Sequence, residues 1–203
     1  MGNCVIALGR QFGSGGREIG RKLSEALGIA YYDRELISLA AQRAEVQEEV
    51  FAERDEKAGN PWLFHGFYEG GPKVRQGESA EDILFQMQSE VILELAEKEN
   101  CIIVGRCADY VLRQRDRECL SLFICAPFDW RVHHRMELEN TDERTAAALV
   151  EKTDKQREKY YTHYTGCPWG LPENYDLCIN SARLGIDRTA ALLAEHCRQL
   201  FHG

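Results

Sequence analysis

The sequence predicts an α/β fold: a parallel sheet with helices packed on its faces. Short apolar runs recur along the chain, amphipathic helical segments separate them, and a glycine-rich turn joins the first run to the first helix. A chain of 203 residues is long enough to bury a sizeable core and falls within the range of one domain, so 1–203 is read as a single domain. Its 44% apolar and 29% charged residues are ordinary for a globular protein.

The formal charge of −8 disfavours non-specific binding to a nucleic-acid polymer. Any polyanionic ligand must therefore meet arginines gathered locally. No apolar stretch approaches the roughly 18–20 residues needed to cross a bilayer, so no membrane partner is expected. The first ten residues lack a basic start followed by a long apolar run, which predicts a cytoplasmic location. Cys4, Cys101, Cys125 and Cys178, four of the eight cysteines, fall inside separate apolar runs and read as buried free thiols. No Cys-x-x-Cys occurs, and His163 and Cys167 have no second pair beside them, so no metal site is expected.

In order, residues 4–8 read as a strand and 17–27 as a helix with Ile19, Leu23 and Leu27 on one face, stopped by Gly28. Residues 29–32 form a short strand ending at Asp33, and 35–54 a helix. Residues 59–77 break the pattern with five glycines, two prolines and the aromatics Trp62, Phe64, Phe67 and Tyr68. A loop of that length is usually functional; its aromatics can cover a ligand or be buried between the copies of a homodimer. Ser79 caps a helix running to about residue 99, with Glu81 and Asp82 suiting its positive end. Strands follow at 101–104, 120–125 and 175–179, and helices at 129–138, 141–164 and 187–200.

The chemistry concentrates at the turn Gly9-Arg-Gln-Phe-Gly-Ser-Gly-Gly-Arg17. Glycines at 13, 15 and 16 let the backbone turn tightly, and the following helix adds its positive N-terminus, so the pair forms a nest for phosphate. Strand, glycine turn and helix are the context a phosphate loop requires. The turn is not a regular Walker A loop: Gly16 stands where the lysine belongs and Glu18 where the serine or threonine belongs. Arg10 and Arg17 are the cations near enough in sequence to substitute. The residues just after the strands are Arg10, Asp33-Arg34, Arg106 and Asp129, which a parallel sheet brings to one edge. Farther along, Arg131 and Arg135 are one helical turn apart with His134 beside them. Thr153, Arg157, Tyr160, Tyr161 and Tyr164 form a polar-aromatic stripe, while the alternating lysines and acids at 151–159, Asp154 among them, read as a solvated surface.

Taken together, these residues resemble nucleoside monophosphate kinases, and within them the cytidylate kinase-like family. Gln11-Phe-Gly-Ser-Gly-Gly-Arg-Glu18 and Tyr31-Tyr-Asp-Arg34 carry the likeness, with Gly105-Arg106 and Tyr175-Asp-Leu-Cys-Ile-Asn-Ser181. The resemblance implies a P-loop kinase-like, three-layer α/β/α fold with a five-stranded parallel sheet and a helical lid over about 129–164. The segment 59–77 then becomes an insert on the acceptor side.

The resemblance further implies phosphoryl transfer from ATP, with Mg2+, to a nucleoside monophosphate, CMP or dCMP foremost. Gly13, Ser14, Gly15, Gly16, Arg17 and Glu18, with Arg10, would hold the donor. Asp33, Arg34 and Arg106 would face the acceptor, and Arg17, Arg131, Arg135 and Arg157 would neutralise charge as it develops. Two other readings of the residues stand beside this: a nucleotide-binding pseudo-kinase that transfers nothing, and a P-loop kinase of another small metabolite.

Overall fold

In the computed structural model, residues 3–33 and 80–202 are described. The expected helix over 35–54, the insert at 59–77, the Ser79 cap and Arg34 lie outside the described residues.

Five strands form one parallel sheet: β1 (Val5–Arg10), β2 (Ala30–Tyr32), β3 (Cys101–Val104), β4 (Leu120–Cys125) and β5 (Leu177–Asn180), in the spatial order β2-β3-β1-β4-β5. The central β1 pairs with β3 through Val5↔Cys101 and with β4 through Ile6↔Leu120. Strand alternation then sorts the side chains to two faces. Val5, Ala7, Cys101 and Ile103 pack on one face under α2 (Ala80–Lys98) and α3 (Ala108–Arg113). Ile6, Leu8, Ile102, Leu122 and Ile124 pack on the other under α1 (Gly16–Leu27) and α7 (Ile186–His202). The result is the expected three-layer arrangement. Ile6, Ile102 and Ile103 are fully buried, and truncating one to alanine would cost about 2–5 kcal/mol.

Two further helices, α4 (Phe128–Glu139) and α5 (Glu143–Thr165), pack together through Val132, Ala146 and Val150. Asp142 caps α5 by accepting the Thr145 N–H at 3.1 Å. Their small core includes Phe12 of the glycine turn, so this helical pair sits on the turn as well as on itself.

Three short elements have no counterpart in the sequence pattern: α3, a 3-10 turn at Pro172–Asn174, and α6 (Ser181–Leu184). Each is too short to show helical periodicity. Entry to α3 takes three successive left-handed residues, Gly105, Arg106 and Cys107, two of which are not glycine. The last strand starts two residues later than expected, because the Tyr175 N–H donates to the Pro172 carbonyl at 3.1 Å and so closes the preceding 3-10 turn. All eight cysteines are free, yet the expectation for them needs correction. Cys101 is buried, Cys4 and Cys125 are half-buried, and Cys178 is exposed because β5 is an edge strand. Among the described residues, no helix is long and apolar enough to cross a membrane.

Candidate active site

The glycine turn connects the end of β1 to α1 at the carboxyl edge of the sheet. Gly13 and Gly15 have φ of 80° and 73°, and a Cβ at either would strike a neighbour: the Arg131 carbonyl at 2.7 Å and Ile186 Cγ1 at 2.8 Å. Gly16 has ordinary φ, but its Cβ would fall 2.6 Å from Arg10 Cβ. All three positions therefore require glycine, and the backbone approaches its surroundings more closely than any side chain would allow. Gly15 precedes α1 without any side-chain cap, so the first-turn N–H groups of the helix are left for a ligand.

Ser14 serves the turn itself. It is fully buried, its hydroxyl donates to the Gln11 carbonyl at 2.8 Å, and its carbonyl accepts the Ser181 hydroxyl at 2.6 Å. Glu18 faces His134, Oε1 to Nε2 at 3.3 Å, while the His134 Nδ1–H donates to the Gly13 carbonyl at 2.8 Å. The cradle fits the phosphates of a nucleoside triphosphate. It does not fit a divalent cation held by protein side chains: the Ser14 hydroxyl and Glu18 are committed elsewhere. Among the described residues, no three His, Cys, Asp or Glu side chains come together as a metal cluster.

Arg10, Gly13, Gly15, Gly16, Arg17, Glu18, Arg135 and Arg157 line one cleft of about 440 Å³. Arg135 lies over the Phe12 ring at 4.4 Å and Arg157 at 5.5 Å, and the Arg157 Nη1 donates to the Arg10 carbonyl at 3.1 Å. Arg135 also pairs with Glu139, and its Nε is buried without a hydrogen-bond partner. Burial and the nearby positive charge of Arg17 push the Arg135 guanidinium below its ordinary value. Arg17 thus disfavours the charge on Arg135, and a bound anion would offset that repulsion.

Asp33, 6% exposed, joins the cleft to the second strand: Oδ2 takes the Arg17 Nε at 2.5 Å and Oδ1 the Arg10 Nη2 at 3.5 Å. Arg10 crosses directly over Gly105, where a Cβ would collide with its Nη1. Beyond it, Arg10, Arg106, Arg157, Asp109, Tyr160 and Trp169 border a smaller cavity of about 60 Å³ between the end of β1, the residues after β3 and α5. Burial lowers Arg106 to about 10, with Arg10 adding to the effect and Tyr160 opposing it, so the guanidinium stays charged at neutral pH. Asp109 is buried and accepts the Tyr161 hydroxyl at 2.7 Å.

Arg131, expected to neutralise developing charge, does not line the cleft. It is 6% exposed, and its donors go to the Ala126 carbonyl, the Phe12 carbonyl and Asp154 at 3.0, 3.0 and 2.5 Å. Asp154, read as surface, is a structural member of the site: it also accepts the Phe12 N–H at 2.8 Å. Its signal was faint. It neighbours Thr153 and lies three residues before Arg157, on the side of α5 that carries the polar-aromatic stripe. Phe12, Asp154 and Asp109 are thus site residues that the sequence did not single out. Asp129, one of the residues after the strands, is taken up in the first turn of α4.

A cytidylate kinase from Thermococcus kodakarensis is 28% identical over 101 residues, a stretch spanning 50% of this chain and 51% of that one. A crystal structure of an uncharacterized protein from Eubacterium ventriosum superposes with a TM-score of 0.70 at 28% identity, covering 96% of this chain and 98% of the other. Shikimate kinase from Bacteroides thetaiotaomicron shares the fold at a TM-score of 0.55 and 15% identity, covering 98% and 99% of the two chains. The fold is therefore that of P-loop kinases. The sequence model of the cytidylate kinase-like family matches residues 5–183, and the chain belongs to that family.

Proposed function

We propose that the protein transfers the γ-phosphoryl group of ATP to a nucleoside monophosphate, with CMP or dCMP as the leading acceptors. One observation carries this reading: Arg10, Arg17, Arg135 and Arg157 border the same cleft as the glycine cradle. Phosphoryl transfer asks a protein chiefly to position two anions and to neutralise the charge between them. In the reaction an acceptor phosphate oxygen bonds to the γ-phosphorus, the bond to the β–γ bridging oxygen breaks, and ADP leaves.

The residues divide the task. The Gly13–Gly16 backbone and the start of α1 hold the donor phosphates, with Arg17 and Glu18 at the rim. Arg135 and Arg157, stacked about Phe12, face the transferred group. Asp33 fixes Arg17 and Arg10, and Arg106 stands on the acceptor side; Arg34, outside the described residues, is assigned to the acceptor from the sequence resemblance alone. Mg2+ would enter with the nucleotide. The α4–α5 pair acts as the lid of a single domain, and the enzyme works in the cytoplasm on small nucleotides.

A second reading rests on Gly16. No side chain fits there, so the usual loop lysine is sterically excluded rather than merely absent. A protein built this way could bind a nucleotide and transfer nothing. Kinases of other small metabolites share the fold, which keeps a different acceptor as the third reading. Purified protein with ATP, Mg2+ and a panel of nucleoside monophosphates separates them. ADP formation dependent on CMP or dCMP supports the first reading. ATP binding without turnover supports the second, and turnover only with a non-nucleotide acceptor supports the third.

A further inference from the structure

The glycine turn is held by the helical pair. The Arg157 Nη1 donates to the Arg10 carbonyl at 3.1 Å, Arg131 to the Phe12 carbonyl at 3.0 Å and His134 to the Gly13 carbonyl at 2.8 Å. The Phe12 N–H donates in the other direction, to Asp154 Oδ1 at 2.8 Å. Successive backbone groups of the turn are thus held by α4 and α5.

Asp154 joins two of these contacts, those at Phe12. Its second oxygen lies 2.5 Å from the Arg131 Nη1, and the Arg131 Nε is bonded to the Ala126 carbonyl just after β4. One carboxylate of α5 therefore joins the turn, α4 and the sheet. Both side chains are largely out of water, at 17% and 8% exposure for Asp154 and Arg131. Parting them would strand a buried guanidinium, so the pair separates only at considerable cost. The same bonds fix the peptide of Phe12, whose ring carries Arg135 and Arg157 on the cleft side.

We propose that Asp154 is a positioning residue: acting through Arg131 and the Phe12 peptide, it makes the anion-receiving shape of the glycine turn conditional on α5 being docked. Turn and helical pair then respond as one unit. A ligand that needs the ordered turn holds α5 in place, and α5 in place favours the ligand to the same degree. The functional part of this inference rests on the reading that the turn takes nucleotide phosphates.

The test compares wild type with Asp154→Ala, which removes both bonds. Asp154→Asn, the second variant, keeps an acceptor for Phe12 but lacks the charge that holds Arg131. Amide hydrogen exchange of ligand-free protein is read over residues 9–16 and over β3 as control. ATP affinity is read by calorimetry below the melting temperature. Asp154→Ala is expected to speed exchange over 9–16 about tenfold or more, leave β3 unchanged and weaken ATP about tenfold or more. Asp154→Asn should recover part of both effects. Wild-type exchange over 9–16 and wild-type ATP affinity in the alanine variant, with only a lowered melting temperature, would overturn the proposal. If Asp154→Ala does not fold, Asp154→Asn carries the same comparison. If wild type binds no ATP, the nucleotide reading fails by itself, and exchange over 9–16 still decides the role of Asp154.

Discussion

Arg17 and Asp33 meet at 2.5 Å, Nε to Oδ2, tying the first turn of α1 to the end of β2. Asp33 is nearly buried while the Arg17 side chain remains 41% exposed, so the carboxylate aims a cation that can still reach a ligand. Asp33→Asn keeps the shape and removes the charge that aligns Arg17 and Arg10. It is expected to lower kcat/KM by about tenfold or more, the worth of one charge-assisted hydrogen bond. Steady-state kinetics with both substrates varied checks this, and unchanged kcat/KM would remove Asp33 from the site.

Arg135 rests on Phe12 at 4.4 Å with its Nε buried and no hydrogen-bond partner. Its removal relieves repulsion with Arg17 in the ligand-free protein, so Arg135→Ala should fold normally. It should lower kcat by about 100-fold to 1,000-fold, the usual cost of losing one preorganised charge-stabilising donor. Arg135→Lys should not rescue, because a lysine lacks the planar fork that both stacks and bonds. Thermal melting beside kcat measurements separates folding from catalysis.

Gly16 occupies the position of the usual loop lysine, and Arg10 Cβ lies 2.6 Å from where its Cβ would be. Gly16→Lys is therefore expected to destabilise the protein by about 1–3 kcal/mol through overpacking, and to reduce activity. Chemical denaturation and ADP formation read the two effects. A gain in activity would mean that the turn had lost a lysine it could still use.

Burial raises the Asp109 carboxyl above its ordinary 3.8, an effect that the Tyr161 hydrogen bond opposes. A raised acid holds its proton in the folded state more tightly than in the unfolded one. Its favourable contribution is complete below 3.8 and is lost as pH rises through the folded value. Asp109→Asn keeps an acceptor for Tyr161 without the charge. The variant should gain stability relative to wild type as pH rises from 3.8 through the folded value, measured as the difference in melting temperature, with the sign of that slope deciding the point.

The sheet was legible because its central strands are short, largely apolar runs; the 101–104 run matches β3 residue for residue. The glycine turn was legible because positive φ and close approach leave glycine alone at Gly13 and Gly15. The cleft arginines Arg10, Arg17, Arg135 and Arg157 could be placed from strand ends and helical spacing. Arg131 and Asp154 could not be told from their neighbours, because whether a charged residue on a helix faces a cleft, solvent or a buried partner depends on how the helix is rotated. Arg131 and Arg135 share a face in sequence, yet one is bonded to the turn and the other opens into the cleft. Asp109 escaped notice for a similar reason: α3 is a six-residue helix entered through left-handed backbone that no residue pattern announces.

On the proposed function, the glycine turn and the cleft arginines together carry out phosphoryl transfer between nucleotides. The most direct measurement is ADP formation by purified protein with ATP and Mg2+ across a panel of nucleoside monophosphates, repeated with Arg135→Ala. Turnover with CMP or dCMP is expected, falling about 100-fold or more in the variant. Absence of ADP above background with every acceptor, or turnover that survives Arg135→Ala undiminished, would contradict it.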